Sequence, residues 1–175
     1  MSSVTASTMT LNEGYFVRRN WFDWLFAALV VMGGVFALQQ YYGAMDVYEK
    51  GILIGTIPTM IWLGWFWRPL AKLMLAVAAL SLLAIWLYQG PEGVAHIDRS
   101  DTVFGLKYLL SSQSAILWMS VLCFMATIFY WISLFAKGER DAFGTIGSRI
   151  TWVAITLALV GTMTRWFESY LLGPD

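Results

Sequence analysis

Long runs without a single charged residue constrain this chain more than any other feature. One run extends from 24 to 45, between Asp23 and Asp46, and another extends from 108 to 136. A helix needs about 20 mostly apolar residues to cross the hydrocarbon core of a bilayer. Charged residues make up 13% of the chain, against roughly 25% in soluble domains. The sequence therefore predicts an all-α, polytopic membrane helix bundle rather than one soluble core.

The apolar runs divide into five predicted transmembrane helices. Their spans are about 22–42, 51–67, 72–89, 114–136 and 150–171. Residues 104–110 are interpreted as a short interfacial approach to the fourth span, with Ser111 and Ser112 as helix-capping candidates. Residues 1–17 are polar and are predicted to form a disordered cytoplasmic tail, and 18–175 a single transmembrane helical module. The first span is expected to remain as an uncleaved anchor.

The distribution of basic residues predicts the orientation. The segments that flank the predicted spans lie alternately on the two sides of the membrane. The side whose segments contain more Lys and Arg is expected to be cytoplasmic. The richer set of basic residues is Arg18, Arg19, Arg68, Lys72, Lys137, Arg140 and Arg149; the opposite set is Lys50, Arg99, Lys107 and Arg165. Five crossings then place the N-terminus in the cytoplasm and the C-terminus at the outer, periplasmic face.

Few side chains point to chemistry within the chain. His96 is the only histidine, so two histidines of this chain cannot hold a haem between them. His96 in a loop beside Asp98 is interpreted as a solvated residue, with cofactor binding as the weaker alternative. No metal-ligand spacing, phosphate-binding loop or catalytic triad is found. A formal net charge of zero gives no indication of nucleic-acid binding. We predict no catalytic or metal-binding residues.

Two short patterns are candidate interfaces. Gly51 and Gly55 have the small-xxx-small spacing that lets membrane helices approach closely; packing within the bundle and docking of another subunit both remain open. Arg165 and Glu168 are spaced i,i+3 and can pair along one helix face. With Trp166, they are interpreted either as an interfacial group that fixes helix depth or as a cluster that orients an outer-face segment.

Several runs together resemble a known family. They are Leu109–Trp118 (LLSSQSAILW), the closing 165–175 (RWFESYLLGPD), Trp21–Phe26 (WFDWLF) and Trp62–Pro69 (WLGWFWRP). Over about residues 20–175 the chain resembles the N-terminal portion of the System II cytochrome c biogenesis proteins, the CcsA/CcsB/ResC family of haem-handling membrane proteins.

The resemblance implies a place in cytochrome c maturation in the bacterial inner membrane. Family members work with a ResB-type membrane subunit, move haem b outward and present it to Cys-x-x-Cys-His motifs of apocytochrome c. The family's Gly-His-x-Pro-x-Ser-Asn-Leu-Tyr-Glu segment would be expected after Asp175, which suggests a truncated or split protein. His96 matches no ligand motif of the family, so no haem ligand is carried over to this chain.

Three functional hypotheses follow. The first is a membrane module that scaffolds the haem-handling complex and is not catalytic alone, although the full family is a component of the synthase that attaches haem. The second is a small accessory structural subunit of a respiratory or transport complex. The third is an independent haem binder that uses His96 and a ligand from another chain.

Overall fold

The computed structural model describes residues 19–43, 45–90, 93–135 and 142–172. In this part of the chain all regular structure is helical. The elements are α1 (Trp21–Tyr41), α2 (Val47–Phe66), α3 (Arg68–Gln89), α4 (Arg99–Thr102), a π-helical segment (Leu106–Leu110), α5 (Ser112–Phe135) and α6 (Ala142–Leu172). The predicted tail at 1–17 lies outside the described residues, as do 173–175.

Four of these helices are long and apolar enough to cross a membrane: α1, α3, α5 and α6. They identify the chain as a multi-pass membrane protein. The predicted span 51–67 lies on α2, which has 20 residues but is not one of the four. Glu49 and Lys50 lie in its first turns, so its charge-free part, 51–66, is shorter than the roughly 20 residues that a crossing usually needs.

Several helices extend beyond the apolar windows that defined the predicted spans. α2 begins at Val47 and α6 at Ala142, where polar and charged residues can continue a helix outside lipid. With 31 residues and a rise of about 1.5 Å per residue, α6 is about 46 Å long, against about 30 Å of hydrocarbon. α6 is therefore longer than the hydrocarbon core is thick.

The described chain divides into two compact units, one up to Ala71 and one from Lys72. The first contains α1, α2 and the first turn of α3. Gly64 of α2 lies against the ring of Phe26, and Gly34 of α1 lies against Ile57. Each glycine leaves room where a methyl group would overlap the facing side chain, so α1 and α2 pack closely.

The second unit contains the rest of α3, α4, the π-helical segment, α5 and α6. α5 and α6 approach closely through small residues: a Cβ added at Gly161 would lie 3.2 Å from Ala115 Cβ, and one at Gly147 would lie 3.4 Å from the Ala126 carbonyl oxygen. Small residues are common where membrane helices pack together, because backbones can then approach. The contacts pair the start of α5 with the end of α6, so the two helices are antiparallel.

One end of the second unit holds a buried core. It joins α3, the π-helical segment and α6 through Ala84, Tyr88, Leu106, Leu110 and Val160. The large side chains at its centre, Tyr88 and Leu106, are fully buried. This core surrounds the polar cluster described next.

Candidate functional site

Glu168, near the end of α6, is the most deeply buried acidic residue among those that the structure describes in the second unit. The residue is 4% exposed. Its Oε1 accepts hydrogen bonds from the Tyr88 hydroxyl at 2.6 Å and from the Ser112 backbone N–H at 3.0 Å. Its Oε2 accepts a short hydrogen bond from the Ser112 hydroxyl. One carboxylate therefore connects the end of α3, the start of α5 and the end of α6.

Two adjacent serines share the start of α5. Ser111 is extended (φ −65°, ψ 155°), and its hydroxyl accepts a hydrogen bond from the Ser114 N–H at 3.4 Å, so it occupies the N-cap position. Ser112 is the first helical residue, and both its N–H and its hydroxyl are directed to Glu168. Ser111 thus caps the helix locally, whereas Ser112 connects it to α6.

The groups around Glu168 are hydrogen-bond donors and a helix start, which complement an acidic side chain. The first N–H groups of a helix lack intrahelical partners, and the helix dipole places partial positive charge there. The Glu168 carboxylate occupies that position at the start of α5. Burying a charge is costly unless it is hydrogen-bonded, and three donors meet that condition here. We refer to Tyr88, Ser112 and Glu168 as the carboxylate junction.

Arg165 lies at the edge of the junction. Its Nη1 is 3.7 Å from Glu168 Oε2, and its side chain is 61% exposed. This separation is within ion-pair range but longer than a hydrogen bond. Arg165 and Glu168 are therefore an i,i+3 ion pair, as their spacing predicts, but the close partners of Glu168 are Tyr88 and Ser112.

The segment between α3 and α5 is held against both helices. α3 ends at Gln89, and Gly90 follows with φ +61°, a left-handed conformation that glycine adopts readily. The Arg99 Nε donates to the Leu87 carbonyl at 2.8 Å, which satisfies an acceptor at the end of α3. The Trp118 indole N–H donates to the Tyr108 carbonyl at 2.7 Å. These bonds fix the segment that leads into the junction.

The other predicted interface and binding candidates lie elsewhere. Trp166 is 75% exposed and takes no part in the junction's hydrogen bonds. His96 is exposed in the loop after α3, and its backbone N–H donates to the Tyr88 carbonyl at 3.2 Å. Gly51 and Gly55 are exposed on α2, and no described atom lies within 4 Å of a Cβ built at either. The structure therefore brings only Arg165 and Glu168 together.

A second polar cluster lies in the first unit. Asp23, which is 2% exposed, forms a capping box with Asn20 at the start of α1. Its Oδ2 also lies 3.3 Å from Arg68 Nη2, and its backbone carbonyl accepts from the Trp65 indole N–H at 2.9 Å. The cluster joins the start of α1 to the end of α2 and the start of α3.

Sequence reasoning missed Tyr88 and Ser112 as partners of Glu168. Tyr88 resembles an interfacial anchor, and Ser112 a cap of its own helix. The available signal was Glu168 itself, because an ionisable residue beside an apolar run requires partners.

The junction is chemically a set of donors around one acceptor. In the described residues, no group of three or more His, Cys, Asp or Glu side chains is placed to hold a metal ion.

Comparison of the chain with protein-family models, with curated proteins and with solved structures gives no significant match.

Proposed function

We propose that this chain is a membrane module of a bacterial cytochrome c maturation complex, in which it scaffolds the haem-handling machinery. Its membrane would be the bacterial inner membrane, with α2 as the fifth crossing, the N-terminus in the cytoplasm and the end of α6 at the outer face. Haem b would be the cargo, and a ResB-type subunit and apocytochrome c the partners.

The observation that carries the proposal is how the family-like runs meet. Leu109–Trp118 and the closing run touch through the Ser112–Glu168 hydrogen bonds. Trp21–Phe26 and Trp62–Pro69 touch where Trp65 donates to Asp23 and where Phe26 lies against Gly64. The four runs that carry the resemblance are therefore two pairs of contacting segments. A shared fold would require such pairs to be kept together.

The proposed role follows from the carboxylate junction. It joins the end of α3, the start of α5 and the end of α6 through one carboxylate. It also holds the end of the segment between α3 and α5. A rigid platform of this kind at the outer face suits the positioning of haem-binding segments of the complex. This chain has one histidine, so the proposal assigns haem ligation to other segments or partners.

Reporter fusions test the orientation and the fifth crossing. Alkaline phosphatase inserted after Gly43 and after Gly93 should be active at both sites, since two crossings, α2 and α3, separate them. Activity at only one of the two sites would mean that α2 does not cross. A fluorescent protein at the N-terminus should be bright, and a dim one would contradict the cytoplasmic N-terminus.

Co-purification tests the partner. We expect the tagged chain to recover a ResB-type subunit from mild detergent. Gly55→Leu adds bulk to an exposed face of α2 and should reduce recovery; Gly33→Leu in α1, where a Cβ also meets nothing within 4 Å, is the matched control. Loss of the chain should also lower haem-stained c-type cytochrome. Normal cytochrome levels and no ResB-type subunit would contradict the proposal.

An accessory subunit of a respiratory or transport complex is the second candidate. The observation that favours it is the open face of α2 at Gly51 and Gly55, which leaves room for a helix of another chain. Recovery of oxidase or transporter subunits, with cytochrome c levels unaffected, would support this candidate instead.

A further inference from the structure

A shallow groove of about 610 Å³ lies on the exposed side of α5, beside Arg165 of α6. Its lining on α5 consists of Ser112, Gln113, Ile116, Leu117, Ser120 and Val121. These positions recur at intervals of four residues and therefore form one stripe along the helix. The groove is polar at the end that contains Ser112, Gln113 and Arg165. Beyond that end it is largely apolar, and its one further polar lining residue, Ser120, donates its hydroxyl to the Ile116 carbonyl of its own helix.

The length of the stripe corresponds to one leaflet of a bilayer. From Ser112 to Val121 the helix rises about 13 Å at about 1.5 Å per residue. Half of a hydrocarbon core of about 30 Å is about 15 Å. Because α5 begins at Ser112, the polar end lies at a helix terminus. An occupant with a polar head there would extend its apolar part toward the middle of the membrane.

The polar end carries an exposed guanidinium, that of Arg165, which is ion-paired with Glu168 but not hydrogen-bonded to it. Arg165 is 61% exposed, and its distance of 3.7 Å to Glu168 Oε2 is too long for a hydrogen bond. The Glu168 oxygens are already engaged by Tyr88 and Ser112. The Arg165 guanidinium therefore retains donors for a further anion, and phosphate oxygens suit its planar geometry.

We propose that this groove binds an anionic phospholipid. The phosphate lies at Arg165 and Gln113, and an acyl chain extends over Ile116, Leu117 and Val121. A free anion would leave the apolar stripe uncovered, and a zwitterionic lipid carries its own ammonium beside the phosphate. The match of charge and length favours phosphatidylglycerol or a similar lipid. The site needs only a membrane-embedded chain and is independent of a role in cytochrome c maturation.

Native mass spectrometry of the full chain in detergent measures this binding. Phosphatidylglycerol and phosphatidylcholine with identical acyl chains are titrated separately. We expect tighter binding of phosphatidylglycerol, and about a fivefold loss of that binding in Arg165→Gln, the effect of one basic residue near an anionic lipid surface. Arg149→Gln, also on α6, is the charge control and should bind as the unsubstituted protein does.

A second pair of variants tests the apolar part. Ile116→Trp fills the groove and should reduce binding of phosphatidylglycerol. Ile128→Trp is the control, since Ile116 and Ile128 lie on the same helix and are 43% and 44% exposed. Thermal unfolding of each variant establishes that it is folded, and a variant that unfolds early is replaced by Arg165→Met or Leu117→Trp.

Three results would overturn the proposal. They are equal binding of the two lipids, an equal loss in the control variants, and complete displacement of the lipid by inorganic phosphate at the lipid's own concentration. The last result would assign the site to a free anion rather than to a lipid.

Discussion

The Tyr88 hydroxyl donates a 2.6 Å hydrogen bond to Glu168, 80 residues later in the chain. Tyr88 is the largest fully buried side chain among the described residues, and its ring lies 5.8 Å from that of Phe167. The end of α3 is thus attached to the end of α6 by a charged hydrogen bond within an apolar core. The hydroxyl of Tyr88 binds Glu168, and its ring packs in the apolar core.

Tyr88→Phe should separate these two contributions. The ring keeps its packing, whereas Glu168 loses one of its donors. A hydrogen bond to a charged group contributes about 1.5–3 kcal/mol, so we expect the free energy of unfolding in detergent to fall by about 2 kcal/mol. Tyr170→Phe, at a tyrosine that is 82% exposed, is the control and should leave stability unchanged. Equal effects of the two substitutions would show that the hydrogen bond contributes little.

Replacement of Glu168 should cost more than replacement of Tyr88. Glu168→Ala leaves the Tyr88 hydroxyl and the Ser112 N–H buried without an acceptor, and each such group costs about 1–3 kcal/mol. Glu168→Gln keeps an acceptor oxygen and the size of the side chain, so we expect a smaller loss. The unfolding temperature should be lowest for Glu168→Ala, intermediate for Glu168→Gln and highest for the unsubstituted protein. Asp98→Ala, at an exposed loop residue, is the control, and an Ala variant as stable as the Gln variant would contradict the expectation.

Gly64→Ala should loosen the packing of α1 against α2. A methyl group at Gly64 overlaps the Phe26 ring, and Phe26 is 1% exposed, so the ring has little room to move. Overpacking of this kind costs about 1–3 kcal/mol. Gly33→Ala is the control, because nothing lies within 4 Å of a Cβ there and alanine favours the helix by about 1 kcal/mol. Unfolding measurements should therefore show changes of opposite sign.

Asp23→Ala should weaken the start of α1. It removes the acceptor of the Asn20 N–H, at 3.1 Å, and the partner of Arg68. Loss of a capping interaction costs about 0.5–2 kcal/mol, whereas Arg68 is 56% exposed and its pair adds little. Hydrogen exchange should show faster exchange of the first amides of α1 and no change in α5. Asp101→Ala, at an exposed acidic residue, is the control; slow exchange at the start of α1 in Asp23→Ala would refute the capping role.

The sequence predicted the helical class and the approximate positions of the helices, because charge-free runs of this length have few other folded forms. It was less informative at helix ends, because capping residues decide where a helix begins. The second span was predicted to begin at 51, but α2 begins directly after Asp46, which forms a capping box with Glu49. The Arg165–Glu168 pair was predictable because its spacing is local. Tyr88 and Ser112 were not, because they approach Glu168 only when three helices pack, and no short-range pattern records that packing.

Ser111 caps α5, whereas Ser112 connects α5 to α6, and this difference has a consequence for biosynthesis. Ser111 caps α5 as soon as that helix forms, but the acceptor for Ser112 is 56 residues later in the chain. At about 5–20 residues per second, a ribosome needs about 3–11 s to supply it. During that interval the first N–H of α5 depends on water or lipid headgroups, and its attachment to α6 is completed only after translation has passed Glu168.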